Sequence, residues 1–286
     1  MSEISKTNYA EKYESEVDER FKLSSITNDA VNQNYNFEAV NTINIYSVET
    51  AALNDYKRDG TSRYGTPSEL GSALQKLTLK QDKAFTFTID KGNYSDTAMM
   101  NSAASALRRE IDEVVMPAID KYRLSVIADN AGTVLEQEIT TETAYTLFLD
   151  ATTILTENLV PVQNRVAFVT PDFYRTLKLD KNFTGSADRA NDVAVTGSVT
   201  KVDNVSIIVV PTNYFPENVN YIMAHPAATL GPVKLADYTI HDKPPGINGW
   251  LCEGRIYYDA FVLNNKKKAI IVSKKPESEP TDPETE

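Results

Sequence analysis

The chain has 286 residues, 41% hydrophobic and 24% charged, enough apolar material for one elaborate globular domain or two smaller ones and too much for a disordered chain. A formal net charge of -11 argues against a protein built to grip nucleic acid, because counterion release needs clustered lysine and arginine. A single cysteine, Cys252, excludes an internal disulfide framework, and no stretch approaches the ~18 apolar residues that a membrane span requires.

Residues 1–35 are polar and acidic with scattered Tyr and Phe, and read as an arm that orders only against something else. The opening MSEISKTNYAEKYESEVDER has no apolar core of the signal-peptide kind. NTINIYSV (41–48) alternates in polarity as a strand does, and LQKLTLKQDKAFTFTID (74–90) alternates again. Between them LNDYKRDGTSRYGTPSELG is polar and carries Gly and Pro, far longer than the two to five residues of most hairpin loops. Two strands holding out such a tip make a β-arm that reaches another molecule. Lys57, Arg58 and Arg63 form a basic cluster there, flanked by Tyr56 and Tyr64. Ion pairing with another subunit fits this acidic chain better than stacking on bases does.

The strongest helical pattern follows, with Ser95 or Asp96 as cap and Met100, Ala104, Leu107, Ile111, Val114, Ala118 and Tyr122 in one apolar stripe. Pro117 predicts a kink within it, since it removes a backbone donor and crowds the carbonyl of Glu113. Glu110, Asp112 and Glu113 lie off the stripe and read as a solvated or interface face. A second amphipathic helix is predicted from Thr140 to about Leu159. RVAFVT is then a strand, PDFYRTLKL a Pro-led helix, and VSIIVVP, NYIMAHP and VKLADYTIHD are further strands. KPPGING is a turn region, and RIYYDAFVLNNKKKAIIV (255–272) reads as a hairpin whose tip carries Asn264, Asn265, Lys266, Lys267 and Lys268. Those lysines fit a plain solvated turn or an intersubunit contact equally well. The tail PESEPTDPETE has no apolar anchor and is expected to be solvent-exposed. The whole is mixed α+β without the regular βαβ repeat of a dinucleotide-binding fold.

Catalytic chemistry has little to stand on. No G-x-x-x-x-G-K-[ST], G-x-G-x-x-G or G-x-S-x-G motif occurs. The two histidines, His225 and His241, have no metal-type spacing, and no catalytic, cofactor or metal residue is assigned. Cys252 with His241 is the one conceivable nucleophile–base pair, against the plainer reading of Cys252 as a small buried thiol.

The order of elements, with the helix ALRREIDEVVMPAIDKYRLSVIA and the closing GRIYYDAFVLNNKKKAIIV, resembles the major capsid protein of tailed bacteriophages and its Hong Kong 97-like fold. The resemblance implies an N-terminal arm at 1–35, a first peripheral-domain strand at 36–47 and an extended β-loop at 48–88. A peripheral domain with its spine helix then spans 89–133, an axial domain 134–240, peripheral closing strands 241–275 and an acidic tail 276–286. It implies a structural protein, not an enzyme, that assembles with itself through pentamers and hexamers into an icosahedral head around double-stranded DNA. Tyr56, Lys57, Arg58, Arg63, Tyr64, the helix acids and residues 264–268 would then be intersubunit contacts. A separate scaffolding protein and a portal are the expected partners, DNA is met only by weak non-specific contact, and no membrane is involved. The particle would form in the host cytoplasm and end as a virion. An encapsulin-type nanocompartment resembles the same fold. The rival from another class is an α+β hydrolase or ligand-binding protein using Cys252 and His241.

Overall fold

The computed structural model describes residues 25–32, 42–48, 53–67, 69, 71–92, 103–184 and 201–276. Ser95, Asp96, Met100, the start of the N-terminal arm and the tail beyond 276 lie outside the described residues. Two compact units emerge, Asn34–Leu79 and the remainder of the chain.

The smaller unit is a two-stranded antiparallel ribbon of β1 (Thr42–Val48) and β2 (Ser72–Thr78), with Val48 opposite Ser72. The larger unit contains β3 (Gln81–Asp90) in a three-stranded antiparallel sheet with β10 (Val233–Asp242) and β11 (Gly249–Tyr258), in the order β10-β11-β3. The predicted single strand from Leu74 to Asp90 is therefore two strands in different sheets. Its alternation is continuous, but the backbone N–H of Lys80 donates to the buried Asp259 carboxylate (2.8 Å), and the chain changes sheets at that point. Residues 81–88, expected in the extended loop, belong to the three-stranded sheet.

A long helix packs on that sheet. It comprises α1 (Ala103–Glu110), a π-helical turn at Ile111–Val115 and α2 (Met116–Asp129). The π turn answers the problem of Pro117: widening the helix ahead of the proline relieves the crowding of a carbonyl that has lost its donor. It also shifts the buried face by one residue. The predicted stripe continued through Val114 and Ala118, yet Val114 is 53% exposed while Leu107, Ile111, Val115 and Ile119 are buried. These four pack with Tyr238, Ile256 and Tyr258 of the sheet as one core. At the centre of that sheet Gly254 lets the rings of Phe85 and Tyr238 stack across it at 6.0 Å. A Cβ there would press into Phe85 and come within 2.7 Å of Tyr238 Cδ1. Gly254→Ala is expected to lower unfolding free energy by about 1–3 kcal/mol by overpacking, read from urea denaturation; an unchanged midpoint would contradict the packing.

The second core surrounds a six-stranded mixed sheet of β4 (Thr133–Glu136), β5 (Val166–Val169), β6 (Lys201–Val202), β7 (Val205–Val209), β8 (Val219–Ala224) and β13 (Ile270–Lys274), ordered β4-β13-β8-β5-β7-β6. α3 (Ala144–Glu157), α4 (Pro171–Leu179) and the short α5 (Lys181–Thr184) accompany it. Phe148, Phe173 and Tyr221 form its aromatic centre, with the Phe173 and Tyr221 rings 4.8 Å apart. The Pro-led helix forms as predicted, with Pro171 in its first turn and Thr170 Oγ1 accepting from the N–H of Phe173. Leu124, Ile127 and Ala128 at the end of α2 belong to this core, so one helix serves both.

The predicted closing hairpin does not form. β11 ends at Tyr258, residues 261–262 (β12) pair with 229–230 (β9), Asn264–Ala269 is a 3-10 helix, and β13 joins the six-stranded sheet between β4 and β8. The two apolar halves of the segment thus enter different cores. Ile270, Ile271 and Val272 are fully buried, a continuous apolar run suited to a central strand rather than a hairpin arm.

Part of the arm is also ordered within its own chain. Ala30 and Val31 are buried in the second core, and the N–H of Asn32 donates to Thr229 O at 2.9 Å. Beneath this segment Asp120 of α2 accepts from Ser25 Oγ and Thr27 Oγ1 (both 2.6 Å) and from the N–H of Ile26 (3.0 Å). The neighbouring Arg123 donates from Nη1 to Ser25 Oγ, Thr27 Oγ1 and Asn28 Oδ1, and from Nη2 to Gly231 O.

Candidate functional site

The ribbon tip between β1 and β2 is held in shape by its own bonds. The N–H of Lys57 donates to Arg63 O (3.0 Å), Arg63 Nε to Gly60 O (3.2 Å), and Tyr56 and Tyr64 meet edge-on at 5.1 Å. Gly60 and Gly65 take φ of 88° and 86°, the left-handed values that let so tight a tip close. Lys57, Arg58 and Arg63 are exposed, and Tyr64 is 83% exposed. On the ribbon below, Tyr46 faces Leu74 across the strands, and both are exposed. Tyr46, Tyr64 and Leu74 thus leave aromatic and aliphatic surface in water on the small unit.

Glu110, Asp112 and Glu113 sit around the π turn of the long helix. Glu113 is within 3.8 Å of Arg109 one turn earlier, both strongly exposed. That surface pair is worth little to stability and is free to exchange partners. Residues 264–268 are not a hairpin tip. Asn264, Asn265, Lys266 and Lys268 are exposed on the 3-10 helix, while Lys267 is half-buried and its carbonyl accepts from the N–H of Gly132 (3.0 Å). A Cβ on Gly132 would collide with that carbonyl, so the turn after the long helix requires glycine there. The structure brings Tyr56, Lys57, Arg58, Arg63 and Tyr64 together in the small unit, and the helix acids and the lysine turn occupy separate places in the large one.

Cys252 and His241 do not form a catalytic pair. In β10–β11 Cys252 is opposite Ile240 and His241 opposite Leu251, so the thiol and the imidazole project to opposite faces. Cys252 is fully buried, and burial pushes its thiol up to about 11, away from thiolate. His241 Nε2 instead meets Glu253 Oε2 at 3.2 Å on the exposed face. His225 is a capping residue: its Nδ1 accepts from the N–H of Ala227 and its Nε2 donates to Gln163 O, while burial lowers its proton affinity. Among the described residues no group of three or more metal-binding side chains occurs.

Among the described residues five charged side chains are buried that the sequence pattern did not mark as such: Asp120, Arg123, Arg165, Asp180 and Asp259. Arg165 donates to Pro161 O, Thr152 O, Val160 O and Thr156 Oγ1, closing the end of α3 and the loop after it. Asp259 accepts from Tyr122 Oη and from the N–H groups of Lys80 and Ala260, each at 2.8 Å. A charged residue in an otherwise apolar stretch, as Asp259 is in YYDAFVL, was the available signal.

A family model described as phage capsid protein matches residues 75–272. Among solved structures, one from Mycobacterium phage Che8 is similar with a TM-score of 0.66 and 19% identity, covering 87% of this chain and 90% of that one. The capsid structure of the Cyanophage P-SCSP1u gives a TM-score of 0.67 at 14% identity, over 85% and 86% of the two chains. A virus-like particle from Pyrococcus furiosus gives 0.54 at 12% identity, over 94% and 100%. No curated protein sequence matches the chain.

Proposed function

The chain belongs to the phage capsid protein family and has the Hong Kong 97-like fold, and from that premise we propose that it is the repeating subunit of a closed icosahedral head. Copies would gather as pentamers and hexamers around double-stranded DNA. The observation that carries this reading is the two-stranded ribbon, whose exposed Tyr46, Tyr64 and Leu74 and basic tip are suited to being covered by a second molecule. Many modest contacts of this kind give a shell that is weak at each joint and strong in sum. The helix acids Glu110, Asp112 and Glu113 and the lysines at 266–268 supply charges that set register between copies more than they add affinity.

The acidic balance of -11 suits a wall that packed DNA slides past. A separate scaffolding protein and a portal complete the assembly, which takes place in the host cytoplasm before the virion is released. A nanocompartment shell is the second reading, supported by the weaker likeness to the Pyrococcus furiosus particle.

Negative-stain microscopy of the purified chain tests the first reading, with shells expected. The double variant Lys57→Glu/Arg58→Glu is expected to stay folded by circular dichroism yet form no shells. Normal particles from it would remove the ribbon tip from the assembly mechanism.

A further inference from the structure

Helix α3 ends in a Schellman turn: the N–H of Val160 reaches Leu155 O (3.0 Å) and that of Leu159 reaches Thr156 O (2.9 Å). The position between those bonds takes a left-handed conformation, where glycine is the usual residue. Here it is Leu159, at φ 58°, with its side chain 90% exposed. A leucine in this place accepts backbone strain and also leaves its apolar surface in water. Val162, three residues on, is 42% exposed. The loop that carries both is rigid, because the buried Arg165 donates to Val160 O (2.6 Å) and Pro161 O (2.9 Å) from beneath. From Asn158 to Asn164 it bears no charge.

At the other end of the same sheet is a cavity of about 530 Å³. Loop 158–165 leads into the start of β5, whereas the cavity lies where β5 gives way to α4, beside the beginning of β8 and the end of β13. Ile139, Phe173 and Pro276 give it apolar walls, and Glu138, Asp172, Thr176 and Lys275 line the rest with Asn220. Asn220 is only 5% exposed, and its Nδ2, itself shielded from solvent, has no hydrogen-bond partner. A buried amide donor left without an acceptor is costly, and this one stands just behind the cavity wall.

We propose that Leu159 and Val162 of one copy are a knob that fills this cavity in a second copy. Knob and cavity lie at opposite ends of one sheet, so the contact is head-to-tail. Such contacts propagate around a ring, whereas a two-fold face joins only a pair. The assignment rests on the shell reading for its partner, a second copy of this chain.

Leu159→Gly separates the knob from the fold. Glycine is at ease in the left-handed turn and the lost side chain packs against nothing in its own subunit, so the melting temperature should be unchanged or higher. Shell formation is expected to be lost. In parallel, Leu159→Cys/Thr176→Cys in the full chain should give a ladder of disulfide-linked oligomers on oxidation; Cys252, buried and held as thiol, leaves the background clean. Shells that form normally from Leu159→Gly, and assembled double-cysteine chains that run only as monomer, would overturn the knob contact. A ladder in the absence of any shell would uphold the contact and sink the shell reading. Neither ladder nor shell would overturn both.

Discussion

Asp120→Ala should cost about 3–5 kcal/mol of unfolding free energy, the range for stripping one partner from a buried charged cluster. Asp120 and Arg123 are 2% and 1% exposed, and they communicate through two hydroxyls. Ser25 Oγ and Thr27 Oγ1 each donate to Asp120 Oδ1 while accepting from Arg123 Nη1. Removing the carboxylate leaves a buried guanidinium without its counter-charge, reverses the reason for both hydroxyl orientations and strips an acceptor from the N–H of Ile26. Residues 25–32 should then detach first, seen as early proteolytic cleavage and fast amide exchange there. The double replacement Asp120→Leu/Arg123→Met should recover part of the loss, because no isolated charge remains buried. A single variant within about 0.5 kcal/mol of wild type would contradict the cluster's role, that being the usual span of surface substitutions.

Asp259→Ala is the second large effect, expected to exceed about 3 kcal/mol because three donors lose their acceptor at once. Tyr122 Oη, Lys80 N and Ala260 N all converge on this carboxylate, which is 2% exposed. It ties the long helix to the start of β3 and to the point where the chain leaves β11. Burial, reinforced by the bond to Asp259, pushes the Tyr122 hydroxyl up to about 12. The folded state therefore holds this proton above pH 10 while the unfolded chain has released its own, so stability is intact below pH 10 and declines as pH rises toward 12. Asp259→Asn should bring the Tyr122 titration back toward the ordinary tyrosine value, followed by absorbance near 295 nm. A titration unmoved by that change would show that the carboxylate is not its partner.

Much of the fold was legible because local chemistry and tertiary context agreed. Pro171 marked the start of α4, and the alternation of VKLADYTIHD gave β10 its bounds, Val233–Asp242. Three features were hidden. The π turn before Pro117 adds a phase shift that a constant helical period cannot carry, which moved the buried face from Val114 and Ala118 to Val115 and Ile119. The segment 255–272 has the alternation and polar centre of a hairpin, and only the partners supplied by β4, β8 and β9 divide it between sheets. The polar stretch around Ser25 and Thr27 looked unable to pack, since its burial depends on charges some 95 residues later. Of the proposed contact residues, the ribbon tip was readable from loop length and composition. Leu159 was not, because a left-handed leucine looks like any other leucine in sequence.

The place of β13 bears on when a subunit becomes competent to assemble. It inserts between β4 and β8, although it follows every other strand of that sheet in the chain. Until it leaves the ribosome, β4 has no neighbour and β8 has an open edge, and the sheet that carries both Leu159 and its cavity is unfinished. Pairings of such long sequence separation are slow and leave sticky edges exposed while they wait. A chain that lacks β13 therefore offers open strand edges in place of the finished surface, and association at those edges is the failure that late insertion of β13 has to outrun.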